Sequence, residues 1–199
     1  MSLCKTADIK SRLGETGSEY DAVIDQIRTG FDAFADRFTR RVLSQTDSDV
    51  TEYYTGGCDT LQLVRYPVIA VTSIKESFTY DFDSATALTA DSDYRLIGGG
   101  VKGLLLRLYC DWPDQPDGVQ IVYRGGFAEP DAELGDGETA LPDDLREAAI
   151  EQCSFIFKRK DDIGLSGVGF DGGSFNKFSA IKLLPTVKAV LESYRRISL

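Results

Sequence analysis

The sequence predicts an α+β fold, in which a long N-terminal helix and C-terminal helices form a helical bundle around an inserted antiparallel β region. Three observations carry this. Apolar residues from Tyr20 to Val42 recur every three or four positions, the period of an amphipathic helix. After Ser44 the period shortens to two, broken by glycine pairs, as in short strands joined by turns. Beyond Pro142 the helical period returns. The expected organisation is one structural unit with four parts: N-terminal bundle helices (1–48), a β-rich insertion (49–127), an acidic loop and bundle helix (128–160), and a Gly/Phe loop with a C-terminal helix (161–199).

Thr6 to Leu13 is a short helix, with Thr6 as a candidate N-cap and Gly14 as its stop. A longer helix is expected from Ser18 to Leu43, on the order of 35–40 Å at 1.5 Å per residue. Ser18 and Asp21 resemble a capping box, and acids at the start with Arg37, Arg40 and Arg41 at the end suit the helix dipole. Ile27, Phe31, Phe34 and Phe38 lie on its apolar face and are candidates for packing between subunits. Val50–Tyr54 and Leu61–Leu63, around Gly56-Gly57, suggest a hairpin. Val68–Ile74 is a β-branched strand, and Asp81–Asp93 a polar loop. Tyr94–Ile97 and Val101–Tyr109 flank Gly98-Gly99-Gly100 as a second hairpin, and Val119–Arg124 is the last strand.

A helix from Pro142 to about Lys160 carries Leu145, Ala149, Cys153, Ile156 and Phe157 on one stripe, which makes Cys153 a small core residue. Residues 161–178 interleave five glycines with Phe170, Phe175 and Phe178. They lack the Lys-Ser/Thr ending of a phosphate-binding loop, so aromatic anchors that order against a partner are the better reading. Pro185 opens a final helix that ends in Arg195-Arg196.

Composition narrows the chemistry. The 199 residues hold 22 Lys plus Arg against 32 Asp plus Glu, a net charge of −10, and no histidine. Without histidine there is no Ser–His or Cys–His nucleophile pair and no imidazole metal ligand. A surplus of acid disfavours a phosphate backbone as a tight ligand. Four scattered cysteines form no CxxC pair, and reduced thiols are expected. The start MSLCKTADIK shows no signal-peptide pattern, and no apolar run approaches the roughly 18 residues of a membrane span. Seven acids without a base between Glu129 and Asp144 match no calcium-loop spacing and read as a solvated loop. Trp112, in a proline-rich turn, is either a sugar platform or an anchor packed on the sheet rim. No catalytic residue, cofactor site or metal site is assigned.

The order of these pieces resembles the head–tail connector (adaptor) family of tailed bacteriophages. The resemblance spans approximately residues 5–160. It rests on Tyr53-Tyr54-Thr55-Gly56-Gly57, on Tyr66-Pro67-Val68 with Val71, and on Tyr123-Arg124-Gly125-Gly126-Phe127 followed by Leu141-Pro142. The tail FSAIKLLPTVKAVLESYRRI also resembles family C-termini. The family implies a non-enzymatic virion protein that assembles as a twelve-fold homo-oligomeric ring beneath the portal, extends the DNA channel and joins the capsid to the stopper or tail. It implies the virion neck as location, with the host cytoplasm during assembly, and DNA passing without specific binding; no membrane is involved. Under this reading Phe170, Phe175, Phe178, Arg195 and Arg196 contact the portal, in an arm that orders on docking. A tail-completion or tail-terminator protein is the nearest alternative, a small-molecule binding module or carboxylate-based enzyme a distant one.

Overall fold

The computed structural model describes residues 2–160 and 183–196, which contain four helices and two three-stranded antiparallel sheets. They divide into two compact units, one formed by Ser2–Ala35 with Pro142–Tyr194, the other by Asp36–Leu141 with the segment from Arg195.

The first unit is helical. Helix α1 (Thr6–Leu13) begins where the Lys5 amide donates to the Asp8 carboxylate at 3.0 Å, so the start lies at Lys5 rather than at a Thr6 cap. It ends at Gly14, whose φ of +75° is the left-handed stop glycine provides. Helix α2 (Asp21–Thr39) has 19 residues, shorter than the expected run from Ser18 to Leu43. In the turn before it the Asp21 amide donates to the Ser18 carbonyl at 3.2 Å. Helix α3 (Asp143–Lys158) carries Asp143 and Asp144 in its first turn and buries Leu145, Ala149, Cys153 and Phe157. Its Arg146 guanidinium makes two 3.0 Å bonds to Asp8 of α1, and Phe157 meets Tyr20 edge to face at 5.4 Å.

Helix α4 (Pro185–Ser193) opens with proline at its first position, as the sequence predicts. Val187 and Leu191 are fully buried, and Tyr194 donates its hydroxyl to Asp144 at 2.7 Å. The buried Gln152 side-chain oxygen accepts the Leu184 amide at 2.9 Å. Helix α4 is thus part of this unit's own core, which corrects its expected role as a segment that orders only on docking.

The second unit holds the sheets. The strands are β1 (Val50–Tyr54), β2 (Thr60–Gln62), β3 (Val68–Glu76), β4 (Tyr94–Leu96), β5 (Leu104–Arg107) and β6 (Val119–Gly125). One sheet has the order β1-β6-β3, the other β2-β5-β4. The expected hairpin of β1 with β2 is absent: β1 pairs with β6, Val50 opposite Tyr123 and Tyr54 opposite Val119. The reason lies in β6, which buries Val119, Ile121 and Tyr123 in strict alternation and takes a neighbour on each side. The Gly56-Gly57 turn instead docks on the Trp112-Pro113 segment, its two amides donating to the Pro113 and Trp112 carbonyls at 3.0 and 2.9 Å. The β4–β5 hairpin forms as read, Tyr94 opposite Arg107, with a short 3-10 turn at Ile97–Gly100.

Side chains from both sheets meet in one core, including Leu61, Ile74, Leu105, Ile121 and Tyr123. Arg107 of β5 clasps Glu76 of β3 through two bonds, 2.9 and 3.2 Å, which ties one sheet to the other. Trp112 is 1% exposed with the Arg107 guanidinium 5.8 Å above its ring, so it is the buried anchor and not an open sugar platform.

Candidate functional site

A cluster of titratable groups lies at the β1–β6 seam. Tyr54 and Tyr123 both donate their hydroxyls to Glu52, at 2.5 and 2.6 Å, and Arg65 Nε donates to its other oxygen at 3.3 Å. The same two hydroxyl oxygens accept the Val64 and Arg65 amides at 3.0 Å each. Burial first, then Glu52, pushes the Tyr123 hydroxyl well above the ordinary phenol range; Tyr54 is raised further, by burial, by Tyr123 and by Glu52. Both phenols stay protonated and act as donors, so the network serves to satisfy the backbone after β2. Cys153 is fully buried beside Cys4, whose hydrogen bond, together with burial, pushes the Cys153 thiol up and out of the nucleophilic range. Cys58 and Cys110 are exposed, and all four cysteines are free.

Of the helix residues expected to pack between subunits, Phe31 is 4% exposed and buried, while Ile27, Phe34 and Phe38 are half-buried. Phe34 stacks on Phe31 at 6.3 Å. Phe170, Phe175 and Phe178 lie outside the described residues. Arg195 is exposed. Arg196 is tied back: its amide donates to the Thr39 carbonyl at 2.8 Å and its guanidinium to the Gln62 carbonyl.

That tie creates a feature the sequence does not reveal. A cavity of about 270 Å³ is lined by Arg40, Arg196, Tyr54, Thr55, Gly56, Cys58, Thr60, Leu61 and Gln62, with no Asp or Glu in its wall among the described residues. The two arginines come from opposite ends of the chain, and no local spacing signals their meeting. Elsewhere in the same unit the acidic segment from Asp131 to Gly137 is exposed throughout. Among the described residues no group of three His, Cys, Asp or Glu side chains is placed to hold a metal ion, and no helix is long and apolar enough to cross a membrane.

With two small antiparallel sheets and helices folded from both chain ends, the chain has the fold of known particle-neck proteins. It superimposes on a chain of the neck of an empty gene transfer agent (GTA) particle computed with C6 symmetry, with a TM-score of 0.58 and 20% identity, covering 98% of this chain and 90% of that one. A chain of the virion of the native GTA particle gives 0.59 at 21% identity, covering 98% and 90%. One from the native neck computed with C12 symmetry gives 0.56 at 20%, covering 98% and 89%. No protein-family model and no curated protein sequence matches the chain.

Proposed function

We propose that the chain is a structural neck protein of a tailed-phage-like particle: a head–tail connector (adaptor) that forms a ring beneath the portal, extends the DNA channel and joins the capsid to the stopper or tail. The observation that carries this is the match of fold over 98% of the chain to neck chains of the GTA particle, one of them from a neck computed with C12 symmetry. The order of motifs that resembles the connector family points the same way. On this reading the protein is a twelve-fold homo-oligomer in the virion neck, assembled in the host cytoplasm, with DNA passing through it. Its work is structural: the buried Glu52 network and the protonated Cys153 support the fold. Within the proposal Phe170, Phe175, Phe178 and Arg195 contact the portal, and Ile27, Phe34 and Phe38 serve ring packing. Phe31 is buried, and Arg196 is tied to Thr39 and Gln62, so both are set apart from the contact surfaces.

Negative-stain imaging of the purified protein, alone and mixed with portal, tests it. Twelve-fold rings seated on portals are expected, and serine at Phe170, Phe175 and Phe178 together should abolish seating while the helical circular-dichroism signal is retained. Rings that cap tail tubes and ignore portals would make the protein a tail terminator instead.

A further inference from the structure

We propose that the Arg40–Arg196 cavity is a carboxylate socket that receives the acidic tip, residues 129–138, of a neighbouring copy of this chain. The proposal rests on the ring reading above and adds to it the contact that would join one subunit to the next. Arg40 follows the last residue of α2 with a φ of +56°, is exposed, and pairs with no carboxylate among the described residues. Arg196 spends one nitrogen on the Gln62 carbonyl, while its Nε has no partner among the described residues. Two guanidinium groups in a wall with no acid among the described residues, in a chain with 32 acids against 22 bases, are a local surplus of positive charge. At about 270 Å³ the cavity is below the usual size of a drug-sized ligand site, and suits one or two side chains.

The tip has complementary chemistry. Residues 129–138 hold five acids and no base, and Glu133 and Asp136 are exposed and in no ion pair among the described residues. The tip is also preformed. Glu138 accepts the Gly135 amide at 2.9 Å and the Gln45 side chain at 3.1 Å, and at the base the Ala128 amide donates to the Thr139 carbonyl at 2.9 Å. Little ordering entropy then remains to be lost on docking. The half-exposed Leu134 at its crown adds an apolar contact.

Within one copy the socket's Tyr54 ends edge strand β1 and Thr55 and Gly56 follow it, whereas the tip's Gly137 abuts the Ile69 carbonyl of β3, the opposite edge of the same sheet. Two different patches on separate edges make a heterologous contact, the kind that closes into a ring. Arginine with carboxylate, in a partly enclosed site, supplies paired charge-assisted hydrogen bonds and fixes the register.

The test uses the full chain and a fluorescent synthetic peptide of residues 128–140, titrated by anisotropy at about 0.05 M and 0.5 M salt. Saturable binding is expected, weakened at least about tenfold by the higher salt and by Arg40→Glu. A peptide with Glu133→Arg and Asp136→Arg should recover binding to the Arg40→Glu protein. Absence of binding, indifference to Arg40→Glu, or failure of the swapped pair to recover overturns the proposal. Equal binding of a scrambled peptide of the same composition overturns the assignment to this tip and leaves a general carboxylate site. Imaging with portal separates the two failures: rings without peptide binding sink the socket alone, whereas peptide binding without rings sinks the neck reading.

Discussion

Single side chains decide how the buried polar groups of this protein are satisfied, and two of them make measurable claims. Tyr123 gives its proton to Glu52 and lends its oxygen to the Arg65 amide. Tyr123→Phe removes both bonds at a fully buried position and should cost about 1–3 kcal/mol, read as a lower urea midpoint. Tyr54→Phe acts on the same carboxylate, so the double variant should lose less than the two single losses combined. Asp32 is the second case. Burial pushes its carboxyl above the ordinary 3.8, against the opposing pull of the Ser2 hydroxyl at 2.6 Å, the Leu3 amide at 3.2 Å and Arg28. A folded-state pKa above the unfolded one means that the folded protein binds the extra proton. The stability from that proton is absent above the folded value, grows as pH falls through it, and is complete below 3.8. Unfolding free energy of the wild type relative to Asp32→Asn should therefore rise as pH is lowered from neutrality toward 4; a flat difference across that range would refute the assignment.

At the level of elements, what could be read in the sequence was local chemistry. Gly14 stopping α1, acids opening α3 and Pro185 opening α4 are signals within one turn of the backbone, and the structure has all three. The end of α2 was misread because Val42 and Leu43 continue its apolar spacing. In the structure Arg40 turns left-handed, the Leu43 amide donates to Asp36 at 3.0 Å, and the Val42 amide donates to the Val64 carbonyl at 3.1 Å, so these residues join the sheet unit. The partner of β1 was also not legible, since alternation marks a strand and says nothing of which of two distant strands lies beside it. The candidate socket is hidden for the same reason: Arg40 and Arg196 are joined only by the fold. The Gly125-Gly126 pair after β6 was legible as a strand end, and its physical cause is now specific. Gly126 has a φ of +106°, and a Cβ there would sit 2.5 Å from the Ser44 carbonyl carbon. Gly126→Ala should cost about 3 kcal/mol through backbone strain and collision, lowering Tm by roughly 6–12 °C in calorimetry. An unchanged Tm would mean that the 43–45 segment does not pack against this turn.

For the whole molecule the governing quantity is charge. A net −10 per copy gives the proposed twelve-fold ring about −120, with exposed acids such as Asp47, Asp83 and Asp111 in no ion pair among the described residues. DNA carries one negative charge per roughly 1.7 Å of duplex, and a protein holds it by replacing counterions with Lys and Arg. Several basic side chains are engaged by acids of their own chain: Arg65 with Glu52, Arg107 with Glu76, Arg124 with Asp49 and Arg146 with Asp8. The Arg40–Arg196 pair sits in a cavity too small for a duplex. In the proposed ring an acidic lining would repel DNA from the wall and let it slide, whereas a basic lining would bind and stall it. The protein should therefore leave duplex DNA unshifted in a mobility assay even at about 0.05 M salt, where phosphate binding is strongest. A variant with Asp47, Asp83 and Asp111, all exposed and outside the 129–138 tip, changed to Lys should gain a shift that fades by about 0.2 M salt. A shift by the unaltered protein would overturn the sliding-channel account while leaving the fold and its likeness to the neck chains untouched.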